Sequence, residues 1–330
     1  MLLGVLREEE RVGDFREHTV GCDIEYEGIG LHTGKIVRIV IKPAPPSTGI
    51  TFRRSGKFIF ESVRASYKNI SQAFMATTIG FNGTGVSTVE HLLAAFFGCG
   101  VDNAFVEVDG PEIPIADGSA LTYAKLILEA GVVPQDTPRR FYAVGSTVEV
   151  REGDAYLIAM PPEFPSLTIE YSIDFSHPLI GKQSIRWDFD SKRFLEEIAP
   201  ARTFGFLDDV SRLKAQGLAL GGSLDNALVF DKNSLLNPEG LRFTDECVRH
   251  KVLDLLGDIM LIGKPIIGHF IVHKAGHRLH HKLLENLLLV LEEIPKEKVH
   301  DVVSNFAPPS QEAMLKIKDK VTSGLTRSLF

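Results

Sequence analysis

The sequence contains few cysteines, and their spacing does not favour a disulfide framework. Cys22, Cys99 and Cys247 form no C-x-x-C pair, and pairing any two of them leaves the third over. Secreted domains that depend on disulfides usually carry an even and denser set of cysteines. We therefore expect a protein of a reducing compartment, in which any metal site uses ligands other than paired cysteines.

Long apolar runs and a convincing signal peptide are also missing. No stretch of the sequence approaches the ~18 apolar residues that a membrane-spanning helix needs. The N-terminal run MLLGVL is short and is followed at once by the charged run REEER, which is a poor match to a secretory signal. These features predict a cytoplasmic protein without stable membrane insertion.

The charge balance lacks the excess of basic residues that general nucleic-acid binding requires. The chain has 36 Lys and Arg against 43 Asp and Glu, a formal net charge of −7. A basic surface is the usual mark of nucleic-acid binding, so we expect no nucleic-acid partner. A local basic pocket for a small anionic ligand remains compatible with this charge.

The chain of 330 residues fits two domains better than one. Both halves mix strand-like and helix-like runs without regular βαβ alternation, which favours an α+β fold. We predict strands at 35–42, 104–108, 146–151, 155–160, 167–173 and 266–273, and helices at 88–97, 120–130, 206–216, 245–262 and 277–291. The proline-containing stretch 132–140 is the best linker, which predicts domains at 1–137 and 138–330.

A metal-binding pattern lies in the run RHKVLDLLGD. His250 and Asp254 are four residues apart in a predicted helix, so their side chains share one face at about 5–6 Å. His91 follows Glu90 in STVEHLLAAF and offers a third ligand beside a carboxylate. Three protein ligands leave a fourth position for water, as in catalytic zinc sites. The alternative for the His250–Asp254–Asp258 stripe is a solvated helix face.

Two further patterns have more than one interpretation. Ser87 to Glu90 fits a capping box, in which Glu90 would only close off a helix start. The stretch 273–281 contains four histidines, which predicts a general acid, a separate metal site, or simply a polar loop and helix start. The glycine-rich run 28–34 lacks the ending of a phosphate-binding loop and predicts a hairpin turn.

Taken together, these segments resemble the UDP-3-O-acyl-N-acetylglucosamine deacetylases, which are zinc amidases of lipid A and lipopolysaccharide biosynthesis. The matching stretches, in the family's order, are GIGLHTGK (28–35), STVEHLLAA (87–95), PEIPIADGSA (111–120), ARTFGF (201–206), GGSLDNA (221–227), LRFTDECVRHKVLDLLGD (241–258) and HKAGH (273–277). The resemblance implies two α+β domains, each a helix layer on a mostly antiparallel sheet. The active site would lie between the facing helix layers.

The resemblance also implies a role for each site residue. The zinc ligands would be His91, His250 and Asp254, although two histidines and a carboxylate also suit iron(II). The catalytic residues would be Glu90 as general base, His277 as general acid, Asp258 as its orienting partner and Thr203 as an oxyanion donor. The substrate-binding residues would be Lys251 and Lys274 at the diphosphate, and Phe204, Phe206, Leu213 and Leu218 along the fatty chain.

The implied reaction is hydrolytic removal of acetate from UDP-3-O-[(3R)-3-hydroxyacyl]-N-acetylglucosamine by a monomeric enzyme. Two alternatives stay open at this point. One is a zinc amidase that acts on another N-acetyl sugar, and the other is a binding protein with a structural metal. Acyl-chain length and the roles of both termini do not follow from the sequence.

Overall fold

The computed structural model describes residues 16–55, 60–73, 75–81 and 84–309. The predicted fold class is confirmed, because helices are combined with several mostly antiparallel sheets in an α+β arrangement. Within these residues, no helix is long and apolar enough to cross a membrane.

Within its described residues, the first half of the chain contains sheets of five, three and two strands, two α-helices and a 3₁₀-helix (Tyr67–Asn69). Its elements are β1 (Arg16–Val20), β2 (Ile24–Ile29), β3 (Ile36–Pro43), β4 (Ile50–Ser55), β5 (Phe60–Arg64), β6 (Ile70–Gln72), β7 (Thr78–Phe81), β8 (Thr84–Val86), α1 (Glu90–Cys99), β9 (Ala104–Val108), α2 (Leu121–Ala130) and β10 (Val132–Pro138). The five-stranded sheet has the order β2-β3-β9-β4-β5, and β6-β7-β8 form the three-stranded one. In β3, Val37, Ile39 and Ile41 alternate inward, as expected for a sheet with one buried face.

The described part of the second half contains a seven-stranded sheet, a two-stranded sheet, further helices and a 3₁₀-helix (Met260–Ile262). Its elements are β11 (Tyr142–Val144), β12 (Val148–Glu152), β13 (Ala155–Met160), β14 (Leu167–Asp174), β15 (Lys182–Asp188), α3 (Ser191–Arg193) with a π-helical turn (Phe194–Ile198), β16 (Phe204–Phe206), α4 (Leu207–Ala215), β17 (Leu228–Phe230), α5 (Glu246–Ile259), β18 (Ile266–His273), α6 (His277–Leu287), β19 (Leu291–Glu293) and α7 (Lys296–Phe306). Strand β18 is central and pairs with β13, β11 and β14. Its almost continuous apolar run fits a strand covered on both faces.

The segment predicted as a linker is a strand over most of its length. Residues 132–138 form β10, which pairs antiparallel with β1. This strand was missed because two prolines and charged residues are not typical of a strand. Its pairing partner lies more than 100 positions away, and the backbone hydrogen bonds that join the two strands need no apolar pattern. The domain boundary between 137 and 138 stays a prediction, with β10 lying across it.

Helices α1 and α5 pack directly against each other and so join the two halves. Gly257 of α5 lies over the first residue of α1, where a Cβ atom would be 2.1 Å from the carbonyl oxygen of Glu90. The helix predicted at 88–97 extends to Cys99, so Gly98 lies inside α1. A Cβ at Gly98 would meet the Phe194 ring at 2.0 Å. Both glycines therefore permit close packing between the halves.

We predict that Gly257→Ala lowers the free energy of unfolding. Overpacking against backbone atoms typically costs ~1–3 kcal/mol or more, which exceeds the ~1 kcal/mol gained from the better helix propensity of alanine. Thermal or denaturant unfolding measures this difference. Gly205→Ala is the control, because a Cβ there meets nothing within 4 Å. Equal stability of the two variants would contradict the packing argument.

Candidate metal centre and catalytic site

A cavity of about 890 Å³ lies between the two halves of the chain and contains the predicted site. Glu90 and His91 line it from α1, and His250 and Asp254 line it from α5. His277, the first residue of α6, lines it as well. Residues that are far apart in the sequence thus meet in one cavity.

The three predicted metal ligands are brought together in this cavity. Asp254 Oδ1 lies 3.3 Å from His250 Nε2 and 3.7 Å from His91 Nε2. One ligand atom from each residue lies within 4.8 Å of the other two, and all three side chains are buried. The alternative of a solvated helix face is therefore wrong for His250, Asp254 and Asp258, all of which are buried.

Hydrogen bonds and charge prepare these side chains for a divalent cation. His250 Nδ1 lies 3.1 Å from the carbonyl oxygen of Ala201, which requires the proton on Nδ1 and leaves Nε2 free for a metal. Burial lowers the pKa of His250 to about 3, so the imidazole is neutral at physiological pH. Burial alone would raise the pKa of Asp254, but neighbouring His250 and Lys251 hold it well below its usual value. Neutral imidazole and ionised carboxylate are the forms that bind metal.

The loop that carries Ala201 is fixed by a buried ion pair. Arg202 donates from Nε to Glu246 Oε1 at 2.8 Å, and its backbone N–H donates to the same oxygen at 3.0 Å. The backbone N–H of Thr203 donates to the carbonyl oxygen of Gly118 at 2.7 Å. Arg202 and Glu246 therefore support the orientation of His250 through Ala201, and neither was identified from the sequence.

Glu90 points into the cavity and does not form a capping box. Its Oε2 accepts from the backbone N–H of Thr77 at 3.0 Å, while Ser87 Oγ pairs with Thr78 Oγ1. Residue Val89 precedes the helix without any side-chain cap. Burial raises the pKa of Glu90, which is the direction needed for a general base near neutral pH. The capping interpretation is wrong because Ser87 is engaged in the neighbouring strand pair.

His277 lies opposite Glu90 and is held by a carboxylate. His277 Nε2 is 3.8 Å from Glu90 Oε1, and its Nδ1 is 2.7 Å from Asp258 Oδ2. Burial alone would lower the pKa of His277, but the charge of Asp258 and its hydrogen bond raise it to about 10. The imidazolium is therefore the form present at neutral pH, and it can donate a proton from Nε2.

The other histidines of the 273–281 tract have different surroundings. His280 Nδ1 lies 2.8 Å from Asp258 Oδ2, and His281 Nε2 lies 3.2 Å from Asp258 Oδ1. Asp258, His277 and His280 are close enough to hold a second metal ion. Their facing atoms are already paired in hydrogen bonds, however, which favours a hydrogen-bonded support for His277. His273 stacks on Tyr156 on the strand side.

The two predicted diphosphate lysines and Thr203 all line the cavity. Lys251 Nζ donates to Asp254 Oδ2 at 2.9 Å, and it lies 5.6 Å from the centroid of the Phe204 ring. Lys274 Nζ donates to Asp154 at 2.7 Å near the protein surface. The cavity thus has cationic groups both beside the metal ligands and towards solvent.

The apolar side chains that line the cavity, called its apolar branch below, include most of the residues predicted for the fatty chain. Phe204, Phe206 and Leu213 line it, whereas Leu218 is not among the lining residues that the structure describes. Leu218 lies after the end of α4, where it is only half-buried. The branch is completed by side chains that were not predicted, namely Leu31, Val210, Ala219 and Val229. Leu31 and Ala219 stand in glycine-rich turns, where no periodic pattern shows which side chain points inward.

Comparisons with known proteins identify the family of this chain. The LpxC family model, described as "UDP-3-O-acyl N-acetylglycosamine deacetylase", matches residues 17–289. UDP-3-O-acyl-N-acetylglucosamine deacetylase of Myxococcus xanthus is 46% identical over 278 residues, covering 84% of this chain and 88% of the relative. The proteins of the same name from Acidithiobacillus ferrooxidans (46% over 276 residues, 83% and 90%) and Campylobacter fetus (44% over 273 residues, 83% and 92%) are similar over comparable lengths.

We predict that His250→Ala abolishes stoichiometric binding of a divalent metal. The variant loses one of three donors and leaves Asp254 without the imidazole that faces it. Metal content after gel filtration, measured by mass spectrometry, tests this. His269→Ala is the control, since His269 pairs with Glu170 on the sheet and belongs to neither histidine cluster. Full metal retention in His250→Ala would refute the ligand assignment.

Proposed function

Because the chain belongs to the UDP-3-O-acyl-N-acetylglucosamine deacetylase family, we propose that it hydrolyses UDP-3-O-[(3R)-3-hydroxyacyl]-N-acetylglucosamine to acetate and the free 2-amino sugar nucleotide in lipid A biosynthesis. The observation that carries this proposal is one cavity in which a buried His-His-Asp set adjoins both Glu90 and His277. The apolar branch beside this set suits a substrate with a fatty chain.

We propose His91, His250 and Asp254 as the ligands of a catalytic zinc ion, with iron(II) as the other metal that these donors suit. When bound, the metal would polarise the scissile carbonyl and make water a nucleophile near neutral pH. His250 supplies a neutral Nε2, and Lys251 holds the second oxygen of Asp254 by a hydrogen bond of 2.9 Å. The contacts of His250 and Asp254 with the protein therefore orient these ligand side chains independently of a bound metal.

Glu90 is proposed as the general base that removes a proton from the attacking water. Its Oε2 is held by the backbone N–H of Thr77, which leaves Oε1 directed to the side of His277. General base catalysis of this kind typically contributes ~10²–10⁴-fold. The raised pKa of Glu90 makes the carboxylate a stronger base than an exposed glutamate.

His277 and Thr203 are proposed to act on the oxygen and nitrogen of the scissile amide. The imidazolium of His277 would stabilise the negative charge that develops on the carbonyl oxygen, and the hydroxyl of Thr203 would donate to the same oxygen. When the carbon–nitrogen bond breaks, the leaving amine takes a proton either from His277 or from Glu90. Asp258 stays ionised throughout and keeps His277 in position.

Binding of the substrate is proposed to use both polar and apolar walls of the cavity. Lys251 and Lys274 would contact the diphosphate, and Phe204, Phe206 and Leu213 would contact the fatty chain. We further propose a cytoplasmic monomer with domains at 1–137 and 138–330, each supplying part of the site.

The decisive experiment measures acetate release from the acylated UDP-sugar by purified protein, before chelation, after chelation and after zinc is restored. We expect activity that disappears on chelation and returns with zinc. A parallel assay uses UDP-N-acetylglucosamine without the fatty chain, for which we expect a large loss in kcat/KM. Equal turnover of both compounds would point to an amidase for another N-acetyl sugar. No acetate release from folded, zinc-loaded protein would refute the proposal.

We predict that Glu90→Gln retains the metal but lowers kcat by about 10²–10⁴-fold, because the amide cannot accept the water proton. Steady-state kinetics together with metal analysis test this prediction. Glu107→Gln in β9 is the matched control, since Glu107 forms an ion pair with Lys42 away from the cavity. Wild-type turnover in Glu90→Gln would remove Glu90 from the mechanism.

A further inference from the structure

Thr77 lies between the two proton-transfer groups of the site and contacts both sides. Its backbone N–H donates to Glu90 Oε2 at 3.0 Å, and its hydroxyl donates to Asp258 Oδ1 at 2.6 Å. The side chain is fully buried. Thr77 therefore connects the proposed base directly to the carboxylate that holds His277.

The hydrogen atoms around Thr77 can be assigned from the distances. His277 Nδ1 is 2.7 Å from Asp258 Oδ2 but 3.2 Å from Thr77 Oγ1, so its proton belongs mainly to the carboxylate. His281 Nε2 lies 3.0 Å from Thr77 Oγ1 and can donate to it. The Thr77 hydroxyl is then left as a donor to Asp258 Oδ1. With this arrangement, each oxygen of Asp258 faces a different set of donors.

These contacts fix the rotation of the Asp258 carboxylate. Thr77 donates to Oδ1, with His281 Nε2 a further 3.2 Å contact of the same oxygen, while His277 and His280 face Oδ2. If the Thr77 hydroxyl were removed, Oδ1 would keep only the longer contact of 3.2 Å to His281. The carboxylate could then turn, and its short hydrogen bond to His277 would weaken.

We propose that Thr77 is a positioning residue for the deacetylation proposed above. It orients Glu90 and Asp258 directly, and it orients the imidazole of His277 through Asp258. The side chain and N–H of Thr77 bond to Glu90 and Asp258, and Thr77 is not among the described residues that line the cavity, so it acts through other side chains. The same segment also contributes Ala73 and Met75 to the cavity wall. A contact between the substrate and this part of the wall would therefore influence Glu90 and Asp258 through Thr77.

The test compares Thr77→Val, which keeps the shape but loses the hydroxyl, with Thr77→Ser, which keeps the hydroxyl. Thr78→Val is the matched control, because the hydroxyl of the neighbouring Thr78 pairs with Ser87 away from the cavity. Each zinc-loaded variant is assayed for kcat and KM across pH. We expect Thr77→Val to lower kcat about 10- to 100-fold with KM little changed, and Thr77→Ser and Thr78→Val to remain near wild type.

The pH profile separates a positioning role from simple destabilisation. The imidazole of His277 is faced by the charged or titratable groups Glu90, Asp254, Asp258, His280 and His281. Activity requires protonated His277, so the basic limb falls as His277 loses its proton. A weaker bond to Asp258 lowers the pKa of His277, and the basic limb of Thr77→Val should move to lower pH by about 0.5–1 unit. Asp258→Asn should move it further in the same direction.

A second readout does not depend on turnover. The titration of His277, followed by NMR in zinc-loaded protein without substrate, should shift to lower pH in Thr77→Val and stay unchanged in Thr78→Val. If wild-type protein releases no acetate, the proposed function fails while this titration still decides the role of Thr77. An unchanged titration, or equal loss of kcat in Thr77→Ser, would overturn the positioning role.

Discussion

The contact between α1 and α5 is the packing constraint on which the site depends. The two helices come from different halves of the chain, and Gly257 lets α5 lie against the backbone of Glu90. His91 stands next to Glu90, and Asp254 lies about one turn before Gly257, so close packing brings both into one cavity. A side chain at position 257 would separate the helices and move the ligands of one half away from those of the other.

The second constraint is the burial of three neighbouring carboxylates, those of Glu90, Asp254 and Asp258. The surroundings of each carboxylate change its pKa in a different way. Asp254 is stabilised by Lys251 and the facing imidazoles, and Asp258 accepts from histidines and Thr77, so the pKa of each is lowered. Glu90 accepts one backbone N–H and lies 3.8 Å from His277 Nε2, but burial outweighs this neighbouring charge and raises the pKa of Glu90. Different environments thus suit chemically similar groups to the proposed roles of ligand, orienter and base.

The fold was predictable where the pattern is local. Strands such as β3, β13 and β18 follow from alternating or continuous apolar runs, and α5 follows from its four-residue periodicity. Strand β10 was hidden, because its pairing with β1 depends on backbone contacts across a long sequence separation. The capping-box alternative at Ser87 to Glu90 fails for a related reason: Ser87 is engaged by Thr78 of a neighbouring strand, and no local motif shows this.

The tract 273–281 shows how much of the site the sequence contains and what it omits. Once α6 is known to begin at His277, helix periodicity places His277, His280 and His281 on one face, while His273 belongs to β18. That this face meets Asp258 and Thr77 is a tertiary fact without a sequence signature. The consequence is chemical: the charge of His277 and the hydrogen bonds from His277 and His280 keep a fully buried Asp258 ionised, although burial alone would raise its pKa. The ionised carboxylate in turn keeps His277 protonated. A motif can indicate which histidine is the acid, but only the surrounding donors explain why it holds its proton.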